Sequence, residues 1–295
     1  YKNMPVDNIL QTNGATGATM LALYALIEPD DHVISMYPTY QQLYDIPKSL
    51  GADVDLWEVE EDKGWLPDLD QLRRLIRPNT KMICINNANN PTGALMDATY
   101  LEELVAIAKE VDAYVFSDEV YRSFDQPAPS IVDLYAKGIA VNSLSKTYSI
   151  PGIRVGWVAS NTEVADILRD YRDYTMICAG VFDDMVATLV LENKEAILKR
   201  NRQIVEENLA LMDAWIAKEP KASWVRPASV STSFVKLDVN RPIEDFALEL
   251  LQDYGVLVVP GNRFDKESHV RIGYCCDKEV LQKGLEKLSQ FLNKC

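Results

Sequence analysis

A lysine placed to act as a nucleophile stands at Lys146, just beyond the apolar run Gly138-Ile-Ala-Val-Asn-Ser-Leu144, which the residue types predict as a buried strand. Two hydroxyls, Ser143 and Ser145, precede it, and Arg154 follows eight residues on, ahead of a second apolar run, Val155-Gly-Trp-Val-Ala159. A lysine at the end of a core strand is poorly solvated, and burial lowers its pKa so that free amine is present near neutral pH. A free amine attacks carbonyls and forms Schiff bases. Neutral hydroxyl donors and one fork-shaped cation suit a phosphate monoester. The stretch therefore asks for a ligand that is both an aldehyde and a phosphate.

Pyridoxal phosphate carries both groups. The plainer reading is a surface-loop lysine and a surface arginine; it requires the whole string, Pro151-Gly152 turn included, to be accidental. Residues 143–154 closely resemble the lysine motif of fold-type I pyridoxal-phosphate enzymes, the class I/II aminotransferase family. That resemblance implies companions elsewhere in the chain.

Five stretches answer it. A strand over 8–12 runs into Asn13-Gly-Ala-Thr-Gly-Ala-Thr-Met20 and then an apolar helix. Small residues at such a turn let main-chain amides approach an anion, although a glycine-containing helix start explains them as well. The resemblance implies that Ala15 and Thr16 hold the cofactor phosphate. Tyr40 follows a predicted strand over 32–36; it caps the core in the plain reading and lies on the pyridine ring in the family's. Asn90-Pro-Thr-Gly93 follows a predicted strand over 80–85, and Asn-Pro and Thr-Gly are turn signals on their own. By resemblance, the amide of Asn90 donates to the cofactor ring oxygen and to the substrate carboxylate. The isomer of the peptide before Pro91 is left open. Asp118 ends a strand over 113–117, either as a helix cap or as the carboxylate that keeps the ring nitrogen protonated. Tyr121 matches the tyrosine that bonds the ring oxygen. Arg271, in Val270-Arg-Ile-Gly273, either bridges to a carboxylate or forks the substrate α-carboxylate.

The elements that must position these residues alternate between short apolar runs and amphipathic stretches, which predicts an α/β fold with a mostly parallel sheet. The expected organisation is a large cofactor-binding domain over 1–190 and a smaller C-terminal α/β domain over 191–295, joined by a long helix at about 192–218. Within the second, strands are expected over 233–237, 256–259 and 269–272, with helices over 242–254 and 278–292. Residues 175–185 read as a connecting loop, with Asp183-Asp184 as a helix N-cap or, facing the site, as a preference for cationic substrates.

At 295 residues the chain can bury one large core or one large and one small. Apolar content of 47% and charged content of 25% are those of a globular protein. Thirty basic residues against 44 acidic ones, a net of −14, argue against nucleic acid as a partner. No apolar run is long enough to span a bilayer, and Tyr1-Lys-Asn-Met-Pro5 does not read as a signal peptide. The five cysteines (Cys84, Cys178, Cys275, Cys276, Cys295) lack metal-ligand spacing, so reduced thiols, a cytoplasmic location and no metal are expected.

The resemblance extends over the whole chain. It implies transfer of an amino group between an amino acid and a 2-oxo acid through a Lys146 Schiff base, with Lys146 then acting as general base. It also implies a homodimer with active sites at the subunit interface. Family members carry several dozen residues ahead of the phosphate turn, and this arm is expected to be missing from the sequence in hand. The same scaffold supports β-lyases and other pyridoxal-phosphate reactions, and aminotransferase-like effector domains of bacterial transcription regulators, so these stay open as alternatives.

Overall fold

The computed structural model describes residues 1–125, 127–228 and 230–294. The alternation of apolar runs resolves into β1 (Ile9–Asn13), α1 (Gly14–Leu26), β2 (His32–Tyr37), α2 (Gln42–Ser49), β3 (Asp53–Glu58), α3 (Leu69–Leu75), β4 (Thr80–Asn86), α4 (Ala98–Glu110), β5 (Tyr114–Asp118), β6 (Gly138–Ser143), β7 (Val155–Ala159) and α5 (Thr162–Arg172). The seven strands form one sheet in the order β1-β7-β6-β5-β4-β2-β3. Pairing is parallel from β3 to β6, whereas β7 runs antiparallel to both β6 and β1.

Successive side chains of a strand point to opposite faces. Val33, Met82, Phe116 and Val141 accordingly pack against Leu21 and Leu23 of α1 and Leu168 of α5. Their neighbours Ile34, Ile83, Val115 and Ala140 pack on the other side against Leu104 and Ile107 of α4 and Leu72 of α3. Helices thus cover both faces, and β4 and β6 are buried at nearly every position instead of every second one. The mostly parallel sheet flanked by helices is the architecture expected from the sequence.

The remaining elements are α6 (Val181–Glu192), α7 (Lys194–Ile216), β8 (Ala222–Trp224), β9 (Thr232–Leu237), α8 (Ile243–Tyr254), β10 (Val259–Pro260), β11 (His269–Gly273) and α9 (Lys278–Leu292). The four strands form an antiparallel sheet in the order β10-β11-β9-β8. Val235, Leu237, Val270 and Ile272 pack with apolar residues of α7, α8 and α9, including Leu281, Leu285, Leu288, Phe291 and Leu292 on one face of α9. Phe234 points the other way, with ring centroids 5.8 Å from Trp65 and 5.8 Å from Phe264. The Trp65 contact ties the small sheet to the segment that follows β3.

Several boundaries differ from the sequence reading. The strand expected over 256–259 is only the two-residue β10, and the three-residue β8 was not foreseen. Residues 175–185 are not simply a connecting loop, because α6 begins at Val181 with Gly180 as its N-cap. Asp183 and Asp184 therefore occupy the first helical turn, where carboxylates suit the helix dipole, and not the cap itself. Asp184 accepts a hydrogen bond from Gln11 Nε2 at 3.0 Å. The long helix starts at Lys194, after Asn193 has ended α6. Cys84, Cys178, Cys275 and Cys276 are free thiols, and Cys295 lies outside the described residues. Among the described residues no group of three or more His, Cys, Asp or Glu could hold a metal ion, and no helix is long and apolar enough to cross a membrane.

Candidate active site

In an open α/β sheet, ligands sit outside the carboxyl ends of the strands. The chain reaches that edge after β1, β2, β4, β5 and β6, and there it lines a cavity of about 320 Å³. Ala15, Thr16, Tyr40, Asn90, Asp118, Tyr121, Ser143, Lys146, Arg154 and Arg271, all singled out in the sequence, line it together. Asp183 and Asp184 do not.

One corner is built for an anion. The 13-residue helix α1 starts at Gly14, which has φ +67°, and Ala15 and Thr16 fall in its first turn, where amides lack intrahelical partners. A Cβ on Gly14 would lie 2.7 Å from Arg154 Nη2, so the guanidinium crosses directly over the helix start. A Cβ on Gly156 would lie 2.4 Å from the carbonyl carbon of Gly14 and 2.6 Å from the amide of Ala15. Only glycine lets β7 pass that close. Arg154 Nη1 donates to the carbonyl of Pro151 at 2.8 Å, and no carboxylate among the described residues pairs with it. Ser143 Oγ accepts from the Ser145 amide at 3.2 Å, which fixes its lone pairs beside the cavity. Free amides, hydroxyls and an uncompensated arginine fit a phosphate group.

The opposite end holds a carboxyl group that lacks a counter-ion. Asp118 closes β5, is 6% exposed, and accepts from the amide of Val120 at 3.0 Å. Burial pushes its pKa up to about 6, against the opposing effects of the Val120 amide and Lys146. A buried acid without a paired cation is poised to receive one, and a protonated ring nitrogen is such a group. These two observations, the anion corner and the unpaired acid, are why the residues present fit pyridoxal phosphate.

Between them lie Lys146, Tyr121, Asn90 and Arg271. Lys146 is exposed to the cavity, not sequestered as its place after a core strand suggests, because its long side chain reaches beyond the sheet edge. Its pKa is nonetheless lowered: the protein around the ammonium displaces water, Arg271 and Arg154 add repulsion, and Asp118 opposes them. Lys146 Nζ lies 5.7 Å from the centroid of the Tyr121 ring. Burial above all pushes the Tyr121 hydroxyl up to about 12, with Arg271 opposing, so it stays protonated at neutral pH. Arg271 Nη1 donates to Asn90 Oδ1 at 2.9 Å, which turns the amide NH2 of Asn90 away from Arg271. Arg271 is part-buried over the Phe264 ring, and no carboxylate among the described residues bridges to it. The Asn90–Pro91 peptide is cis.

Asn86 was not picked out in the sequence, yet it joins two of these groups. Its Nδ2 donates to the carbonyl of Asp118 at 2.9 Å, and its Oδ1 accepts from the amide of Asn90 at 2.7 Å. Its signal was its place as the first of the Asn-rich string at the end of a strand. Gln42, Val120, Ser145 and Pro151 complete the lining.

Residues 1–288 match the family model described as aminotransferase class I and II. An aspartate aminotransferase of Thermotoga maritima is 30% identical over 303 residues, covering 99% of this chain and 77% of that protein. A capreomycidine synthase of Streptomyces vinaceus is 28% identical over 292 residues, covering 98% of this chain and 75% of that protein. Among solved structures, a PLP-dependent aminotransferase from Streptococcus suis 89-1591 is 70% identical, with a TM-score of 0.98 over 100% of this chain and 79% of that one. With the fold, the lysine-centred cavity and these likenesses in agreement, the chain belongs to the class I and II aminotransferases, enzymes that use pyridoxal phosphate to move an amino group between an amino acid and a 2-oxo acid.

Proposed function

We propose that Lys146 is the amine that holds the cofactor and the base that moves the proton at the substrate Cα. The observation that carries this assignment is the convergence of ten residues from five strand ends and β11 on one cavity of about 320 Å³. When bound, pyridoxal phosphate supplies an aldehyde for amine exchange and a cationic ring that withdraws electrons from Cα. Ala15, Thr16, Ser143 and Arg154 hold the phosphate. Asp118 retains the proton at the ring nitrogen. Tyr40 covers the ring, and Tyr121 and Asn90 donate to its oxygen. Arg271 forks the substrate carboxylate with help from Asn90, so that the Cα–H bond is aligned for transfer. The lowered pKa of Lys146 raises the share of free amine at any given pH.

A synthase among the relatives gives a second reading weight, in which the same residues serve another reaction at Cα. A single-turnover assay separates the two. Amino-group transfer releases one equivalent of 2-oxo acid per site and stops until a 2-oxo acid acceptor is added. Continued product release without acceptor would reject transfer in favour of lyase or cyclase chemistry.

The protein acts as a homodimer in this reading. Val181, Phe182, Met185 and Leu189 form an apolar face on α6 and are exposed, Phe182 by 83%. Tyr174, exposed by 90%, and Ile177 extend it. Apolar patches of this kind are usually covered by a partner surface. Phe182→Glu combined with Met185→Glu should turn a dimer into a monomer in sedimentation; an unaltered dimer would place the interface elsewhere. Four free thiols suit a reducing compartment, and we assign the chain to the cytoplasm; its recovery with exported proteins on cell fractionation would reverse that assignment.

A further inference from the structure

Lys146 and Tyr121 both stand on loops. Tyr121 follows the end of β5 and Lys146 the end of β6, and neither belongs to a helix or strand. A group on a loop is held less precisely than one on a rigid element. The roles given to them above nonetheless require a fixed offset, because the aldehyde carbon and the ring oxygen of pyridoxal phosphate are carried on neighbouring ring carbons. Something outside the sheet and helices must hold one loop against the other.

One side chain joins them. Thr147 Oγ1 donates to the carbonyl of Val120 at 3.1 Å and accepts from the amide of Arg122 at 3.2 Å. The hydroxyl therefore straddles Tyr121, bonding the backbone on either side of it. A threonine that only satisfies its own loop reaches backbone groups roughly two to four residues away. These partners lie 27 and 25 residues back along the chain. Among the described residues, neither backbone group has another hydrogen-bond partner.

Thr147 is itself anchored. Its carbonyl accepts from Nδ2 of Asn201, a buried residue of α7, at 2.9 Å. It follows Lys146 directly, so the two Cα atoms are about 3.8 Å apart and one cannot shift without the other. Across the turn, the carbonyl of Tyr121 accepts from the amide of Ala88 at 2.7 Å. Without the Thr147 hydroxyl, the turn would be held from that side alone, and the tyrosine could pivot away from Lys146, whose Nζ now lies 5.7 Å from the centre of its ring.

We propose that Thr147 is a positioning residue: its hydroxyl sets Tyr121 against Lys146, so that the phenol and the amine meet neighbouring atoms of one ligand. The proposal rests on the roles given above to Lys146 and Tyr121. Thr147 touches neither substrate nor cofactor in this account and acts through Tyr121.

The test follows the pH midpoint at which the visible absorption of the full-length, pyridoxal-phosphate-loaded protein changes. A hydroxyl that donates to the ring oxygen favours its anionic state, so losing that bond makes the loaded site keep its proton to higher pH. Tyr121→Phe gives the size of that upward shift. Thr147→Val removes the bracket at nearly constant shape and should raise the midpoint by about 0.5–1 pH unit. Thr147→Ala should do the same, and Thr147→Ser, which keeps the hydroxyl, should restore the wild-type value. In the Tyr121→Phe background, Thr147→Val should add nothing, because residues that act through one another are not additive. With the cofactor removed, hydrogen exchange over residues 118–124 should be about fivefold faster in Thr147→Val than in the wild type, as for the loss of a neutral hydrogen bond.

A role in folding alone would lower the melting temperature and leave the midpoint where it was; that result would overturn the proposal. So would a full shift from Thr147→Val in the Tyr121→Phe background, or exchange at the wild-type rate. If Tyr121→Phe itself leaves the midpoint unmoved, the ring-oxygen role of Tyr121 falls, and the exchange rates then decide by themselves whether Thr147 holds the turn.

Discussion

Replacing Lys146 by alanine should leave a folded protein whose amino-group transfer has fallen by about 10⁴-fold or more. The side chain is exposed to the cavity and anchors no packing, so stability should change by no more than about 0.5 kcal/mol. What is lost is chemical. A positioned general base contributes about 10²–10⁴ on its own, and in the proposed mechanism the same amine is also the nucleophile. The visible absorption of the loaded protein should change with the variant, since the amine that holds the cofactor is gone. Stopped-flow rates of 2-oxo acid release, with circular dichroism as a control for folding, decide the matter. Transfer at the wild-type rate would remove Lys146 from the mechanism.

Asp118→Asn should produce opposite effects on the protein with and without its cofactor. In the folded chain the carboxyl group has a pKa of about 6, raised by burial from 3.8. A raised pKa means that the folded state holds the proton more tightly than the unfolded one. The stability from that group is complete below its unfolded pKa and is lost as pH rises through about 6. Asparagine cannot ionise and still accepts from the amide of Val120. The cofactor-free variant should therefore melt higher than the wild type at pH 8 and equally at pH 4. With pyridoxal phosphate the order should reverse, because the acid proposed to retain the ring proton is missing. Removing one member of a buried charged pair costs about 2–5 kcal/mol, so kcat should fall by roughly 30-fold to several thousandfold. Differential scanning calorimetry at the two pH values, with and without cofactor, checks both signs. A variant that melted lower in both forms would show that Asp118 serves packing alone.

The site was legible because its chemistry is concentrated where strands end. Lys146, Asp118 and Asn90 each follow an apolar run, and a parallel sheet brings all such ends to one edge. Arg271 lies 125 residues beyond Lys146, and its place was read from resemblance alone; the hydrogen bond to Asn90 supplies the physical reason. Other features left no trace in the residue pattern. The apolar side chains on the outer face of α6 remain exposed, so its periodicity does not mark a core-facing stripe. β8 has three residues, too few for an alternation. The exposure of Lys146 escaped because position after a buried strand predicts where the backbone is, not how far a long side chain extends. The bridging role of Asn86 depends on two backbone groups, at 90 and 118, that only the folded chain brings within reach.

The antiparallel strand β7 has a consequence for the order in which the protein is made. β1 lies at the sheet edge, and among the described residues β7 is its only strand neighbour, with Asn13 opposite Val155. The helix start at Gly14 and the arginine that crosses it are likewise separated by 140 residues. On a ribosome adding about 5–20 residues per second, β1 and the helix start at Gly14 wait roughly 7–30 s for β7 and Arg154 to be synthesised. During that interval Leu10, buried in the finished protein, lacks its strand partner Val158, whereas Leu21 and Leu23 can already pack on β2, β4, β5 and β6. The anion corner, which needs Arg154 and Gly156 against Gly14 and Ala15, cannot be assembled until β7 has emerged.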